Sequence, residues 1–82
     1  MRIFNLDNVY NVVCNFKGTR NGFKHEATLH KNGYEIAKTK VCYLNRTFEC
    51  YKYETVLLKI IRENFEGKEQ ENFINKVKDK NI

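Results

Sequence analysis

Between Ala37 and Ile61 the apolar pattern of the chain changes period once, and few folds accommodate that change. Along AKTKVCY every second residue is apolar, small or Thr, the pattern of a strand with one buried face. From Tyr53 onward, Val56, Leu57, Ile60, Ile61 and Phe65 recur at spacings of three and four, the stripe of an amphipathic helix. Asn45-Arg46-Thr47 breaks the two patterns apart, and Asn45 and Thr47 are both suited to cap a helix start. Such a strand needs neighbours to pair with and a layer to cover it. The preceding residues supply the neighbours and the helix supplies the cover, burying four or five side chains worth roughly 1.5–3 kcal/mol each before entropy is subtracted.

The preceding residues read as two more strands. Val9–Phe16 places Tyr10, Val12, Cys14 and Phe16 on one face, and Lys17–Gly22 (KGTRNG) reads as a loop. Phe23–His30 alternates again, with Phe23, His25, Ala27 and Leu29 inward and Lys24, Glu26, Thr28 and His30 outward. Lys31-Asn32-Gly33 reads as a three-residue hairpin loop with Gly33 in the left-handed region. That register sets Ala27 opposite Ala37, His25 opposite Thr39, Phe23 opposite Val41, and Glu26 opposite Lys38. A two-residue Asn-Gly loop would slip the pairing by one residue and turn lysines into the core. The third strand, Tyr34–Leu44, then points Ala37, Thr39, Val41 and Tyr43 inward and Ile36, Lys38, Lys40 and Cys42 outward.

Met1–Asn8 carries too little pattern to assign, although Ile3 and Leu6 are candidates for packing. Phe48–Tyr53 alternates like a short strand or opens the helix. The expectation is one α+β domain over residues 1–67. In it a three-stranded antiparallel sheet, with room for a short fourth strand, is covered on one face by a Tyr53–Phe65 helix that Gly67 caps. Residues 68–82 read as a short C-terminal helix or tail with Phe73, Ile74 and Val77 on one side.

At 82 residues the chain suffices for one small domain. No apolar run approaches the roughly 20 residues of a membrane helix, and MRIFNLDNVYNVV has no secretory pattern, so a cytoplasmic location is expected. Three cysteines, Cys14, Cys42 and Cys50, with no close pair make a poor disulfide framework, and reduced thiols are expected. No CxxC or HxxxH unit is present, and Cys14 and His25 face inward while Cys42 and His30 face outward. No metal and no cofactor are therefore expected. A Cys–His pair under the helix lacks an orienting carboxylate, and the acidic residues do not cluster, so the chain does not read as an enzyme.

Charge carries the functional signal. The net charge is +5, and residues 1–53 hold nine Lys/Arg against four Asp/Glu while the remainder balances, so the whole excess lies on the part read as sheet. Lys24, Lys38 and Lys40 gather on the outer face, Lys17 and Arg20 at the adjoining loop, and Arg46 in the strand-to-helix break. These six are the candidate partner-binding residues, and they suit an anionic partner: nucleic acid or an acidic protein surface. Base readout favours Arg, Asn or Gln at the centre of such a face. The strands offer mainly Lys and Thr there, which points to non-specific or RNA-shape binding. Tyr34, Tyr51 and Tyr53 are candidate stacking platforms.

One motif extends the reading. YLNRTFECYKYETVL, Tyr43–Leu57, resembles a segment of small uncharacterised proteins of phages and plasmids of low-GC Gram-positive bacteria. Their pattern is an aromatic residue, then N-R-T-[WF]-E, then tyrosines and a short helix. The match runs through Asn45, Arg46, Thr47, Phe48 and Glu49, with Phe in the place often held by Trp. The resemblance implies a mobile-element protein of the anti-CRISPR type: a non-enzymatic, monomeric inhibitor in the host cytoplasm. Its partner would be a host nuclease or ribonucleoprotein effector, met through an acidic protein surface or through bound nucleic acid. The positive charge departs from the acidic DNA mimics among such inhibitors. The alternative is a small basic DNA- or RNA-binding protein that uses the same lysine face.

Overall fold

A computed structural model describes residues 1–20, 22–44 and 52–79. The chain runs β1 (Arg2–Asn5), β2 (Tyr10–Thr19), β3 (Gly22–Lys31), β4 (Tyr34–Tyr43), α1 (Glu54–Asn64) and α2 (Gly67–Lys78). The strands form an antiparallel meander in the order β1-β2-β3-β4, and both helices contribute to the core on one face of it. The α+β expectation holds at this level.

The fourth strand is N-terminal. β1 pairs with β2 through Arg2↔Cys14 and Phe4↔Val12, which sends Phe4, and Leu6 beyond it, into the core. Ile3 points the other way and is 53% exposed, so of the two residues expected to pack only Leu6 does. The β1–β2 connection is closed by Asp7, whose Oδ1 accepts hydrogen bonds from the N–H groups of Val9 (2.7 Å) and Tyr10 (2.8 Å). This side-chain mimicry of a turn is what Asp contributes at such positions. The other candidate strand, Phe48–Tyr53, lies mostly outside the described residues.

The expected loop at Lys17–Gly22 shrinks to two residues, because β2 and β3 pair out to Thr19↔Gly22. Gly22 has φ +148°, and a Cβ there would lie 2.0 Å from the Tyr43 carbonyl oxygen. Glycine is what lets β3 begin directly beneath the end of β4.

The β3–β4 register differs from expectation by two residues. Asn32 and Gly33 both have positive φ (52° and 86°) and form the two-residue turn, closed by Lys31↔Tyr34. Alone, that turn would turn the lysines inward. A bulge between Leu29 and His30, opposite Ile36, inserts one extra residue and restores the faces. Ala27 therefore pairs with Thr39, His25 with Val41, Phe23 with Tyr43, and Glu26 with Lys40 rather than Lys38. Which residues face inward is as expected; which residues face each other is not.

The inner face buries Val12, Cys14, His25, Ala27 and Leu29, and α1 lies against β3 and β4 with Val56, Leu57, Ile60 and Ile61 buried. Its other side carries the exposed Lys59, Arg62 and Glu63. α1 ends where the Phe65 N–H bonds to the Ile61 carbonyl. Gly67, at φ +60°, opens α2 rather than capping α1. Gln70 Nε2 donates to the Phe65 carbonyl at 2.7 Å and holds the corner. α2 packs on α1 and adds Phe73 and Val77 to the core; the Phe73 ring meets Tyr10 and Phe65 edge-on.

Three variants test this packing. Leu57→Asp or Ile60→Asp places an unpaired charge at a fully enclosed position, at a cost above about 4 kcal/mol, comparable with the whole stability of a domain this small. Circular dichroism at 25 °C should show unfolding, and an unchanged melting curve would remove α1 as the cover. Gly22→Ala should fold but melt lower, losing about 2 kcal/mol or more to the collision with the Tyr43 carbonyl. An unchanged midpoint in urea would show that β4 does not end over Gly22.

Candidate functional site

The outer face of the sheet is built from residues that alternate with the core positions, and cross-strand pairing orders them in four rows. Lys17, Lys24 and Cys42 form the row nearest the β2–β3 turn; Asn15, Glu26 and Lys40 form the next. Ile3, Val13, Thr28 and Lys38 follow, and Asn5, Asn11, His30 and Glu35 close the other end. Among the described residues no helix lies on this side, since both helices take part in the core of the other. Between β3 and β4 the face carries a shallow groove of about 310 Å³ lined by Glu26, Thr28, Lys38 and Lys40 with the backbone between them.

Four of the six sequence-predicted residues, Lys17, Lys24, Lys38 and Lys40, thus share one face. Arg20 is exposed at the β2–β3 turn, one residue past the end of β2. Arg46 lies outside the described residues. The lysines border one end of the face and its β4 side, with Glu26 inside the corner. Glu26 bonds Lys24 at 2.7 Å, both on β3 and two residues apart, in place of the expected pair with Lys38. The hydrogen bond from Lys24 holds the Glu26 carboxyl below its usual range, with Lys17 and Lys38 adding to the effect, and the same bond raises Lys24. Lys38 has its own partner, Glu35, at 3.5 Å. Among the described residues Lys17 and Lys40 carry no ion pair, and they are the cations most available to an incoming anion.

Sequence reasoning missed the centre of this face. Asn11, Val13 and Asn15 point outward from β2, and Asn5 and Ile3 from β1. The signal lies in the alternation of β2: inward Tyr10, Val12, Cys14 and Phe16 leave Asn11, Val13 and Asn15 on the outer side, beside His30, Thr28 and Glu26 of β3. The tyrosines considered for stacking fall elsewhere. Tyr34 is 77% exposed at the β3–β4 turn, and Tyr53 is half-buried beside Phe4 and His25 on the core side. Tyr51 lies outside the described residues.

His25 is buried among Phe16, Tyr43 and Tyr53, with ring centroids 4.7, 5.9 and 5.1 Å away. Cys14 is also buried, and desolvation pushes its thiol up to about 12 against a smaller opposing pull from Arg2. It therefore stays protonated at neutral pH, where a nucleophile must ionise. Cys42 is exposed on the outer face, at the opposite end from His30. Among the described residues no three of His, Cys, Asp and Glu come together to hold a metal ion, and no helix is long and apolar enough to cross a membrane. A second depression, about 510 Å³, lies between the β1–β2 turn and α2, lined by Asp7, Glu69, Asp79 and Lys76 among others; its sign is opposite to that of the sheet face.

Comparison with models of protein families, with curated proteins and with solved structures yields no match.

The difference between the two thiols is directly measurable. Iodoacetamide at pH 8 should label Cys42 in the native protein and leave Cys14 unmodified until denaturant is added, as read by peptide mass. Because the folded state raises the Cys14 pKa, its stabilising effect is complete below the ordinary thiol value of 9.0 and is lost as pH rises from there towards about 12. Stability should fall over that window, and by less in Cys14→Ser. Equal native labelling of Cys14 and Cys42 would contradict its burial.

Proposed function

We propose that the protein acts by binding, as a mobile-element inhibitor of a host nucleoprotein defence effector of the anti-CRISPR type. One observation carries this reading: the helices occupy one face of the sheet, and the other face gathers Lys17, Lys24, Lys38 and Lys40 with no described element over it. A small domain can bury only one sheet face, and a face left in water with a cluster of one sign of charge is a surface for a partner of the other sign. The N-R-T-F-E resemblance at Asn45–Glu49 supports the choice of partner class. The binding mode needs no chemistry: the lysine face meets an acidic surface of the effector, or the nucleic acid the effector holds, by charge and hydrogen bonding.

The pairings sort the lysines. An anion arriving at Lys24 must compete with Glu26, whereas Lys17 and Lys40 are ready to receive it. Purified guide-loaded CRISPR effectors from low-GC Gram-positive hosts, assayed for target cleavage with increasing protein, give the test. Inhibition of at least one effector is expected. Lys17→Glu with Lys40→Glu should raise the inhibitory concentration roughly tenfold or more, mainly through slower association, while the melting temperature stays unchanged. Glu26→Gln should lower it by releasing Lys24. Normal inhibition by the double variant would move the site off this face. The absence of inhibition across the panel, with retained binding to free nucleic acid, would favour the direct nucleic-acid-binding reading.

A further inference from the structure

Resting on that reading of the outer face, we propose that the surface it recognises is an A-form nucleic-acid duplex, either double-stranded RNA or an RNA–DNA hybrid. In this mode the lysines lie on phosphates, and Asn11, Asn15, Thr28 and His30 lie over the shallow groove. Three features of the face select this ligand.

The first is composition. Protein interfaces concentrate their energy in aromatic, Met and Arg anchors and are depleted in Lys at the core. The described outer face has none of those anchors. Besides Val13 and the Lys24-paired Glu26, its central strands present Asn11, Asn15, Thr28 and His30, with Lys17, Lys24, Lys38 and Lys40 at one end and along β4. Amides, a hydroxyl and an imidazole flanked by lysines on two sides make the mainly polar, positively charged surface that nucleic acid complexes bury. The second feature is the placement of the aromatic rings. Single-strand binders stack bases on exposed rings. In this protein Phe16, Phe23, Tyr43 and Tyr53 belong to the core side and contact His25 or one another. Among the described outward rows no Phe, Tyr or Trp ring stands, and the His30 imidazole is the one aromatic group, so the face offers mainly hydrogen bonds and charge rather than stacking platforms.

The third is breadth. Four strands about 4.8 Å apart hold the outer rows over about 14 Å between edge strands before side chains are counted. That exceeds the roughly 12 Å of the B-DNA major groove, which accepts a helix or a two-stranded ribbon. The minor groove of an A-form duplex is wide and shallow and displays 2′-hydroxyls that both donate and accept. A broad sheet face bearing short amide and hydroxyl side chains fits against that groove without insertion. Its bordering lysines then reach the phosphates of the flanking strand.

Fluorescence anisotropy separates these contributions. The labelled probes are a 20-base-pair RNA duplex, an RNA–DNA hybrid and a DNA duplex of one sequence, together with a 20-nucleotide RNA single strand and polyglutamate. The RNA duplex and the hybrid should bind at least fivefold tighter than the DNA duplex and the single strand, and polyglutamate should bind weakest. Three to four phosphate contacts imply a salt slope near −3, so affinity for the RNA duplex should fall roughly 40- to 150-fold between 50 and 200 mM salt. Asn11→Ala with Asn15→Ala should weaken RNA-duplex binding about tenfold and leave the slope unchanged, because no charge is lost. His30→Ala, in the same row as Asn11, provides the second variant if that pair folds poorly. Lys17→Glu with Lys40→Glu should instead flatten the slope by about two. Equal binding of RNA and DNA duplexes, tighter binding of the single strand or of polyglutamate, or neutral-residue variants without effect would each overturn the proposal. Effector inhibition without RNA-duplex binding would overturn it and leave the inhibitor reading standing. RNA-duplex binding without inhibition of any effector would support it and overturn the inhibitor reading.

Discussion

The structure depends on the seam between α1 and the inner face of the sheet. Val12, Cys14, Ala27, Leu29, Ile60 and Ile61 all reach zero exposure along it. A meander of four strands has little stability of its own until one face is buried, and the α1 stripe provides that burial. α2 extends the same core through Phe73 and Val77 towards Tyr10 and Phe65. The edge-to-face contacts among these rings add about 0.5–1.5 kcal/mol per pair beyond the area they bury. His25 fits this seam because three aromatic rings surround it, and Cys14 fits because a protonated thiol packs as a small apolar group.

Both helices also reach to the margins of the sheet. Lys59 of α1 donates to the Lys40 carbonyl on β4 at 2.8 Å, and Lys76 of α2 donates to the Leu6 carbonyl just past β1. β1 and β4 are the edge strands, and exposed edge carbonyls invite pairing with another chain. Lysine caps, a short β1 and the bulge at Ile36 blunt both edges. The large apolar side chains left exposed, Met1, Ile3 and Val9 at one margin and Tyr34, Ile36 and Leu44 at the other, show why that protection is useful. The sheet thus keeps its edges out of association while its outer face stays open.

What the sequence disclosed, and what it withheld, follows from the range of each signal. Alternation is local and survives any register of the same parity, so Ala37, Thr39, Val41 and Tyr43 are correctly read as inward although every predicted pairing is displaced by two residues. The displacement comes from combining a two-residue Asn32-Gly33 turn with a bulge. Either alone would have turned Lys38 and Lys40 into the core, and parity arguments reject each singly without seeing that two such steps cancel. The α1 stripe was legible to within a residue at each end because it spans several turns. β1 was not, because four residues carry one buried side chain, Phe4, and no period. The candidate face was legible in its charges, which are rare and conspicuous. It was illegible in Asn11 and Asn15, whose place on the open face follows only once β2 is known to be central.

The position of Glu26 bears on how such a face works. A carboxylate among four lysines lowers the net field of the patch, yet it also holds Lys24 in place and limits self-repulsion in the unbound protein. The ion pair is exposed and contributes little to folding; its effect is on what the patch attracts. A single carboxylate from a partner gains little by exchanging with Glu26, since one charge-assisted hydrogen bond replaces another of the same kind. A line of phosphates gains more, because it engages Lys17 and Lys40, which have no ion pair among the described residues, at the same time as it competes for Lys24. On the proposed reading, a built-in counter-ion biases the face against isolated acidic side chains and towards repeating anions, and it sits on β3 between the lysines of β2 and β4.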